Sequence, residues 1–380
     1  MHTEDFIRFV RKQYESDQFI ALHEPRFSGN DKKYVMDAID STFVSSVGKY
    51  VDQFEKNFAE FVGSRYAVAT VNGTAALHIA LKLAGVEAGD EVIAQPLNFV
   101  ATCNAISYCC AKPVFVDVDE KSLGLSSSAL RDFLTKNTKL HQKLCYNKKT
   151  NRVIRACVPM HTFGHSVDLD AIKEVCDEFN IALVEDAAES LGSYYKNKHT
   201  GGVGKLSIFS FNGNKILTTG GGGMIVTNDE SLAKRAKHLT TTAKISHPWE
   251  YVHDEVGYNY RLPNLNAALG CAQLEQLPKF LEAKRELARL YKIFFDEQNV
   301  TFITEPLGCR SNYWLNAVLF NNQSERDLFL KESNEAGIMT RPAWKLLSDL
   351  KMYKECEQDE LKNARFIAER LVNIPSSVIL

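Results

Sequence analysis

From about residue 30 to residue 245, short apolar runs rich in β-branched residues alternate with longer segments of helical character. Seven runs read as strands: Ala67 to Thr70, Glu91 to Ala94, Pro113 to Val118, Val153 to Pro159, Ile181 to Val184, Leu206 to Ser210 and Met224 to Thr227. Strands that are apolar throughout are covered on both faces, and their alternation with helices favours parallel pairing. The expectation is a large α/β domain over 30–245 with a mostly parallel seven-stranded sheet. After residue 245 the pattern changes to a long helical stretch, Leu265 to Tyr291, then strand-like Trp314 to Phe320 and a helix from Ser324 to Ala336. This predicts a smaller α+β domain over 246–380. Within residues 1–29, Phe6, Phe9, Val10 and Tyr14 fall near helical spacing, which predicts an amphipathic arm over 4–16 that packs on the body of the protein. The polar, basic segment Lys139 to Asn151 reads as a loop or hairpin.

Four stretches carry candidate chemistry. The run from Ser207 to Met224 sets Lys215 between a β-type run and the glycines Gly220 to Gly223, where an amine is either simply solvated or placed to condense with an aldehyde. Ser210 upstream offers a hydroxyl to an anion. The strand from Ile181 ends in carboxylates, at the sheet edge where open α/β folds bind ligands. Asp186 there either holds a protonated ring nitrogen or caps a following helix. Asn72-Gly73-Thr74 precedes an Ala/Leu-rich helix, and such a start is a natural phosphate site. Phe99, in the turn after Ile93 to Ala94, could stack on a flat ring or fill a core. The glycine run lacks the spacing of a dinucleotide fingerprint and leads into a strand.

In order and spacing these pieces resemble the pyridoxal-phosphate-dependent sugar aminotransferases of the DegT/DnrJ/StrS family, on the type I aminotransferase fold. The shared marks are Glu-Asp-Ala-Ala-Glu-Ser at 185–190, Phe-Asn-Gly-Asn-Lys at 211–215, Gly-Tyr-Asn-Tyr-Arg-Leu at 257–262 and Thr-Arg-Pro-Ala-Trp at 340–344. Within the family the sequence looks closest to the branch that aminates UDP- or GDP-linked 4-keto-6-deoxy sugars for bacillosamine or legionaminic acid synthesis. The resemblance implies that Lys215 links covalently to pyridoxal 5'-phosphate and carries the proton during transfer, and that Asp186 keeps the ring nitrogen protonated. It implies phosphate contacts from Gly73, Thr74 and Ser210, and ring stacking by Phe99. Glu189 stands where many relatives have Gln or His, so it is either protonated or turned toward substrate. Asn259 matches a residue that reaches the phosphate of the neighbouring subunit, with Arg261 beside it as a substrate contact. The implied reactants are L-glutamate and a nucleotide keto-sugar, in a homodimer with shared active sites. The sequence departs from the family at Gly221, where many relatives carry Glu. It also ends at Leu380, short of the family's closing helix, which leaves the C-terminal packing open while every cofactor motif is retained.

Two other readings share these features. One is a sugar dehydratase of the same fold, in which His replaces the lysine. The other is a cofactor-binding regulator without turnover. Lys215 counts against the first, and the second lacks a basic DNA-reading helix. A formal net charge of -2 argues against a nucleic-acid binder. Nine cysteines without Cys-x-x-Cys pairs predict a reducing cytoplasm and no structural metal. The absence of a secretory pattern or a long apolar run predicts no membrane association.

Overall fold

The computed structural model describes residues 2–298 and 300–380. All seven expected strands join one sheet in the order Tyr66–Thr70, Gly223–Thr227, Leu206–Ser210, Ala182–Asp186, Val153–Val158, Glu91–Ala94, Lys112–Phe115. Only Gly223–Thr227 runs antiparallel to its neighbours. The continuous apolar runs are explained by alternation between two cores. Val92 and Ala94 pack under the helices Gly73–Leu83 and Ala101–Tyr108, whereas Ile93 packs under Ser127–Asn137 and Leu169–Glu178.

The segment from Lys139 forms a hairpin, Thr138–His141 with Leu144–Asn147, which pairs with the start of Val153–Val158 and brings the sheet to nine strands. Its two turn residues, Gln142 (φ 49°) and Lys143 (φ 63°), both adopt the left-handed conformation that matches strand twist.

A second sheet is antiparallel, ordered Thr301–Phe302, Asn316–Leu319, Leu371–Ile374, Arg341–Pro342. The helix Asn264–Asp296 joins the two regions. Its first half contributes Ala267, Cys271, Leu274 and Leu277 to the core shared with helix Lys49–Val62, and its second half packs Leu287, Tyr291 and Phe295 on the second sheet. The amphipathic arm is the helix Thr3–Tyr14, with Phe6 and Val10 fully buried against that second core. The following chain is tied to residues from the other end. Ile20 exchanges backbone hydrogen bonds with Gly337 and Met339, Ser376 N–H donates to Leu22, and Tyr14 donates to the Ser377 carbonyl. Among the described residues no helix is long and apolar enough to cross a membrane.

Midway along the long helix, Lys284 is fully buried and donates to the carbonyls of Trp314 and Ser376, clasping the helix, the bend before strand Asn316–Leu319 and the C-terminal segment together. Burial holds its ammonium down to a pKa of about 7, against 10.5 for the ordinary group. Because the folded value is depressed, the unfolded chain takes up a proton that the folded chain refuses between these limits. Wild-type stability therefore falls as pH drops from about 10 to about 7, by an amount on the order of a few kcal/mol. In Lys284→Met that dependence should vanish, so the denaturation midpoint of the wild type should rise relative to the variant as pH is raised. A difference that is the same at both pH values would show that Lys284 titrates normally.

Candidate functional site

The strands Ala182–Asp186 and Leu206–Ser210 lie parallel and end at one edge of the sheet, where a cavity of about 390 Å³ opens. Its wall includes Gly73, Thr74, Phe99, Asp186, Glu189, Ser210 and Lys215, seven of the nine residues singled out from the sequence.

Asp186 terminates its strand and no helix follows, so it is not a helix cap. One carboxylate oxygen accepts from Thr102 Oγ1 at 2.7 Å and the other from the Ala188 N–H at 3.2 Å, a local turn that fixes the group. Burial raises its pKa, with the Thr102 bond opposing. The helix Gly73–Leu83 begins at the same edge, capped by Asn72, whose side chain accepts from the Ala75 N–H at 2.8 Å. A Cβ at position 73 would stand 2.9 Å from Ser210 Cβ, and one at position 223 would stand 2.5 Å from the Asn72 backbone. Glycine at both sites lets the helix start press against the strand end, so first-turn amides and the Ser210 hydroxyl face one space.

Lys215 sits in the turn after strand Leu206–Ser210, with its N–H bonded to the Asn212 carbonyl at 2.9 Å. Its side chain is only 13% exposed, and Nζ lies 3.4 Å from Glu189 Oε1 and 3.7 Å from the ring centroid of Trp314. The other Glu189 oxygen accepts from the Phe163 N–H at 2.9 Å. Burial pushes the Glu189 carboxyl up to about 7 while the nearby ammonium opposes. In this geometry Glu189 faces the lysine, a partner that neither of the two roles open for it in the sequence includes.

Asn259 and Arg261 do not line this cavity. Asn259 is exposed and its side-chain oxygen accepts from Arg261 Nε at 3.0 Å, while the Val71 N–H behind the helix start donates to Tyr260. Polar and aromatic wall residues that the sequence reading did not single out include Asn98, Thr102, Trp314 and Trp344. Trp344 closes a motif quoted above, and that position was its only signal.

Pyridoxal phosphate fits these groups. A helix start pressed against a hydroxyl suits a phosphate, a buried carboxylate suits a protonated ring nitrogen, and a buried amine suits an aldehyde. The buried amide nitrogen of Asn98 has no acceptor among the described residues and so calls for a polar ligand. The cavity is also within the range typical of small-molecule sites.

A profile described as the DegT/DnrJ/EryC1/StrS aminotransferase family matches residues 25–380. GDP-perosamine synthase of Escherichia coli O157:H7 is 37% identical over 363 residues, covering 94% of this chain and 93% of that protein. A putative pyridoxal phosphate-dependent aminotransferase of Bacillus subtilis, EpsN, is 38% identical, covering 86% and 82%. Among solved structures, Helicobacter pylori PseC, an aminotransferase involved in the biosynthesis of pseudoaminic acid, superposes with a TM-score of 0.85 at 26% identity, covering 94% of each chain. The type I fold expected from the motifs is therefore the fold observed.

Because the folded Glu189 carboxyl keeps its proton to about pH 7, the cofactor-free protein should show a protonated-carboxyl band in difference infrared spectra that disappears with a midpoint near neutrality. Glu189→Gln should lack it. The sign for stability follows: the unfolded chain loses this proton from about pH 4.5, so wild-type stability relative to Glu189→Gln falls as pH rises toward 7. A band lost below pH 5, or one that persists in the variant, would contradict the assignment.

Proposed function

This chain belongs to the DegT/DnrJ/EryC1/StrS aminotransferase family, and on that premise we propose that it transfers the amino group of glutamate to a UDP- or GDP-linked 4-keto-6-deoxy hexose. The observation that carries this reading is the buried Lys215 amine, held between Glu189 and the Trp314 ring in the cavity that also holds Asp186 and the Gly73 helix start. The likeness to a GDP-perosamine synthase supports a nucleotide-linked sugar and makes GDP one candidate carrier. The resemblance stated on the four motifs quoted above keeps an acetamido sugar of the bacillosamine or legionaminic acid kind, with UDP as carrier, as the other candidate.

Family aminotransferases use pyridoxal phosphate, which when bound supplies an aldehyde for the lysine and an electron-withdrawing ring that makes a neighbouring carbon acidic. The rest is the work of the chain. First-turn amides of Gly73 and Thr74, with the Ser210 hydroxyl, would hold the phosphate, and Phe99 would stack on the ring. Asp186, fixed by Thr102 and the Ala188 amide, keeps a proton on the ring nitrogen. Lys215 would hold the cofactor through its aldehyde and, as a free amine, would carry the proton at the reacting carbon. Glu189, beside Nζ, takes or returns a proton as the lysine changes charge. Donor and acceptor visit the same cavity in turn, so kinetics are ping-pong.

Borohydride reduction of the protein loaded with pyridoxal phosphate, followed by peptide mapping, should place the pyridoxyl mass on Lys215. Mass on Lys205 or another lysine would defeat the reading, as would failure of Lys215→Ala to abolish nitrogen transfer from labelled glutamate to a panel of nucleotide keto-sugars.

The proposal includes a homodimer in which Asn259 serves the partner's phosphate, consistent with its position outside its own cavity. One neutral donor to a charged phosphate contributes roughly 1.5 to 3 kcal/mol, so Asn259→Ala should lose about tenfold or more in cofactor affinity. Mixing Lys215→Ala with Asn259→Ala chains should restore activity at one site of each mixed dimer. An active monomer, or mixtures with no gain, would refute the shared site.

A further inference from the structure

Two tryptophans line the cavity, and among the described residues they are the only wall residues that come from beyond Lys215 in the chain. Trp314 is fully committed. Its indole N–H donates to the Asn214 carbonyl at 2.7 Å, its backbone N–H to Asn312 at 2.8 Å, its own carbonyl is held by Lys284, and the Lys215 ammonium rests on its face. Trp344 is half-buried and uncommitted. Among the described residues its indole N–H has no acceptor, and it is not sealed from water.

The ring of Trp344 is nevertheless held in place. Its segment is pinned to the loop after Glu91–Ala94 by the bond from Leu347 N–H to the Pro96 carbonyl at 2.9 Å. The Phe163 ring packs against it at a centroid distance of 5.0 Å, and Phe99, 52% exposed, lies at 6.5 Å. Phe163 adopts φ 55°, a left-handed conformation that is costly for a bulky residue. The turn persists because Glu189 accepts the Phe163 N–H and Ser193 Oγ donates to the Gly164 carbonyl at 2.7 Å. The strained turn delivers an aromatic backing for Trp344.

We propose that Trp344 is the specificity-determining residue on which the hexose ring of the acceptor stacks, with its free indole N–H donating to a sugar oxygen. The proposal rests on the aminotransferase reading above and assigns acceptor recognition within it. A hexose presents an apolar C–H face together with oxygens at its edge, and an indole with an open face and an unpaired N–H matches both. The amino donor does not match. The carboxylates of glutamate are repelled by the negative face of an aromatic ring and require cationic or amide partners instead. Trp344 therefore discriminates between the two substrates that share the cavity.

The test separates the two half-reactions in wild type, Trp344→Ala and Trp344→Phe, by single-turnover absorbance with glutamate alone, then with the GDP- or UDP-linked 4-keto-6-deoxy hexose that the wild type accepts. Trp344→Ala should raise the half-saturating acceptor concentration about tenfold or more and leave the glutamate half-reaction within about twofold. Trp344→Phe, which keeps a ring and removes the N–H, should fall between, and it serves as the test if the alanine variant does not fold. Equal effects on both halves, or no effect on the acceptor in a folded variant, would overturn the proposal. So would a matching loss of inhibition by free GDP or UDP, because the nucleobase would then be the stacked group. A wild type inert toward glutamate would instead defeat the aminotransferase reading. Calorimetric binding of the nucleotide sugar to the same three proteins would still decide the role of Trp344.

Discussion

Among the described residues three ionisable side chains line the cavity, Asp186, Glu189 and Lys215, and all three are largely out of water. Two acids and one base cannot all be charged there without leaving a buried negative charge unbalanced. The neighbouring residue shows what balance looks like. Glu185 is as deeply buried as Asp186, but it accepts amide hydrogen bonds from Gly201, Val203 and Gly204 and faces His161 at 3.1 Å. Although burial alone would raise its pKa, these partners hold it below the usual carboxylate value, whereas Asp186 and Glu189 are both raised. The cavity thus lacks one positive charge. Under the proposed function a protonated ring nitrogen at Asp186 would supply that charge, and the proton retained near neutrality by Glu189 is the chain's own compensation without it. The fixed turn at Phe163 and the placement of the lysine both depend on this carboxyl group.

The parts of the structure that are legible in the sequence are those whose cause is local. The seven strands show in the sequence because each is covered on both sides, and the helix start at Gly73 shows because Asn, Gly and Thr have separate physical reasons to stand there. The hairpin at Lys139 was open between two outcomes because Gln142 and Lys143 occupy a turn for which Asn-Gly is the usual signal. Asp186 is open between cap and ligand in the sequence, since an acidic residue after a strand serves either use, and the cap is excluded only by the missing helix. Thr102 reaches Asp186 across 84 residues, and Trp314 reaches Asn214 across 100, so neither contact leaves a pattern within any window of sequence. The placement of Glu189 depends on a backbone amide from a strained turn, and backbone strain has no residue signature here because Phe163 is an unusual occupant of that conformation.

The tying of the first residues to the last sets the order in which the chain can fold. Tyr14 and Ser377 bond across 363 residues, and the strand Leu371–Ile374 lies between two others in its sheet. A ribosome therefore releases the amphipathic helix Thr3–Tyr14 long before its docking surface exists. Through most of synthesis its buried face, with Phe6 and Val10, stands unprotected, while the α/β region from residue 66 can already condense around its own sheet. The second sheet is completed only when Leu371–Ile374 has emerged, and the arm docks through contacts of great sequence separation such as Tyr14 with Ser377. The nascent chain is thus most exposed to chaperones and to self-association at its first helix, the element farthest in sequence from the residues that complete its docking surface.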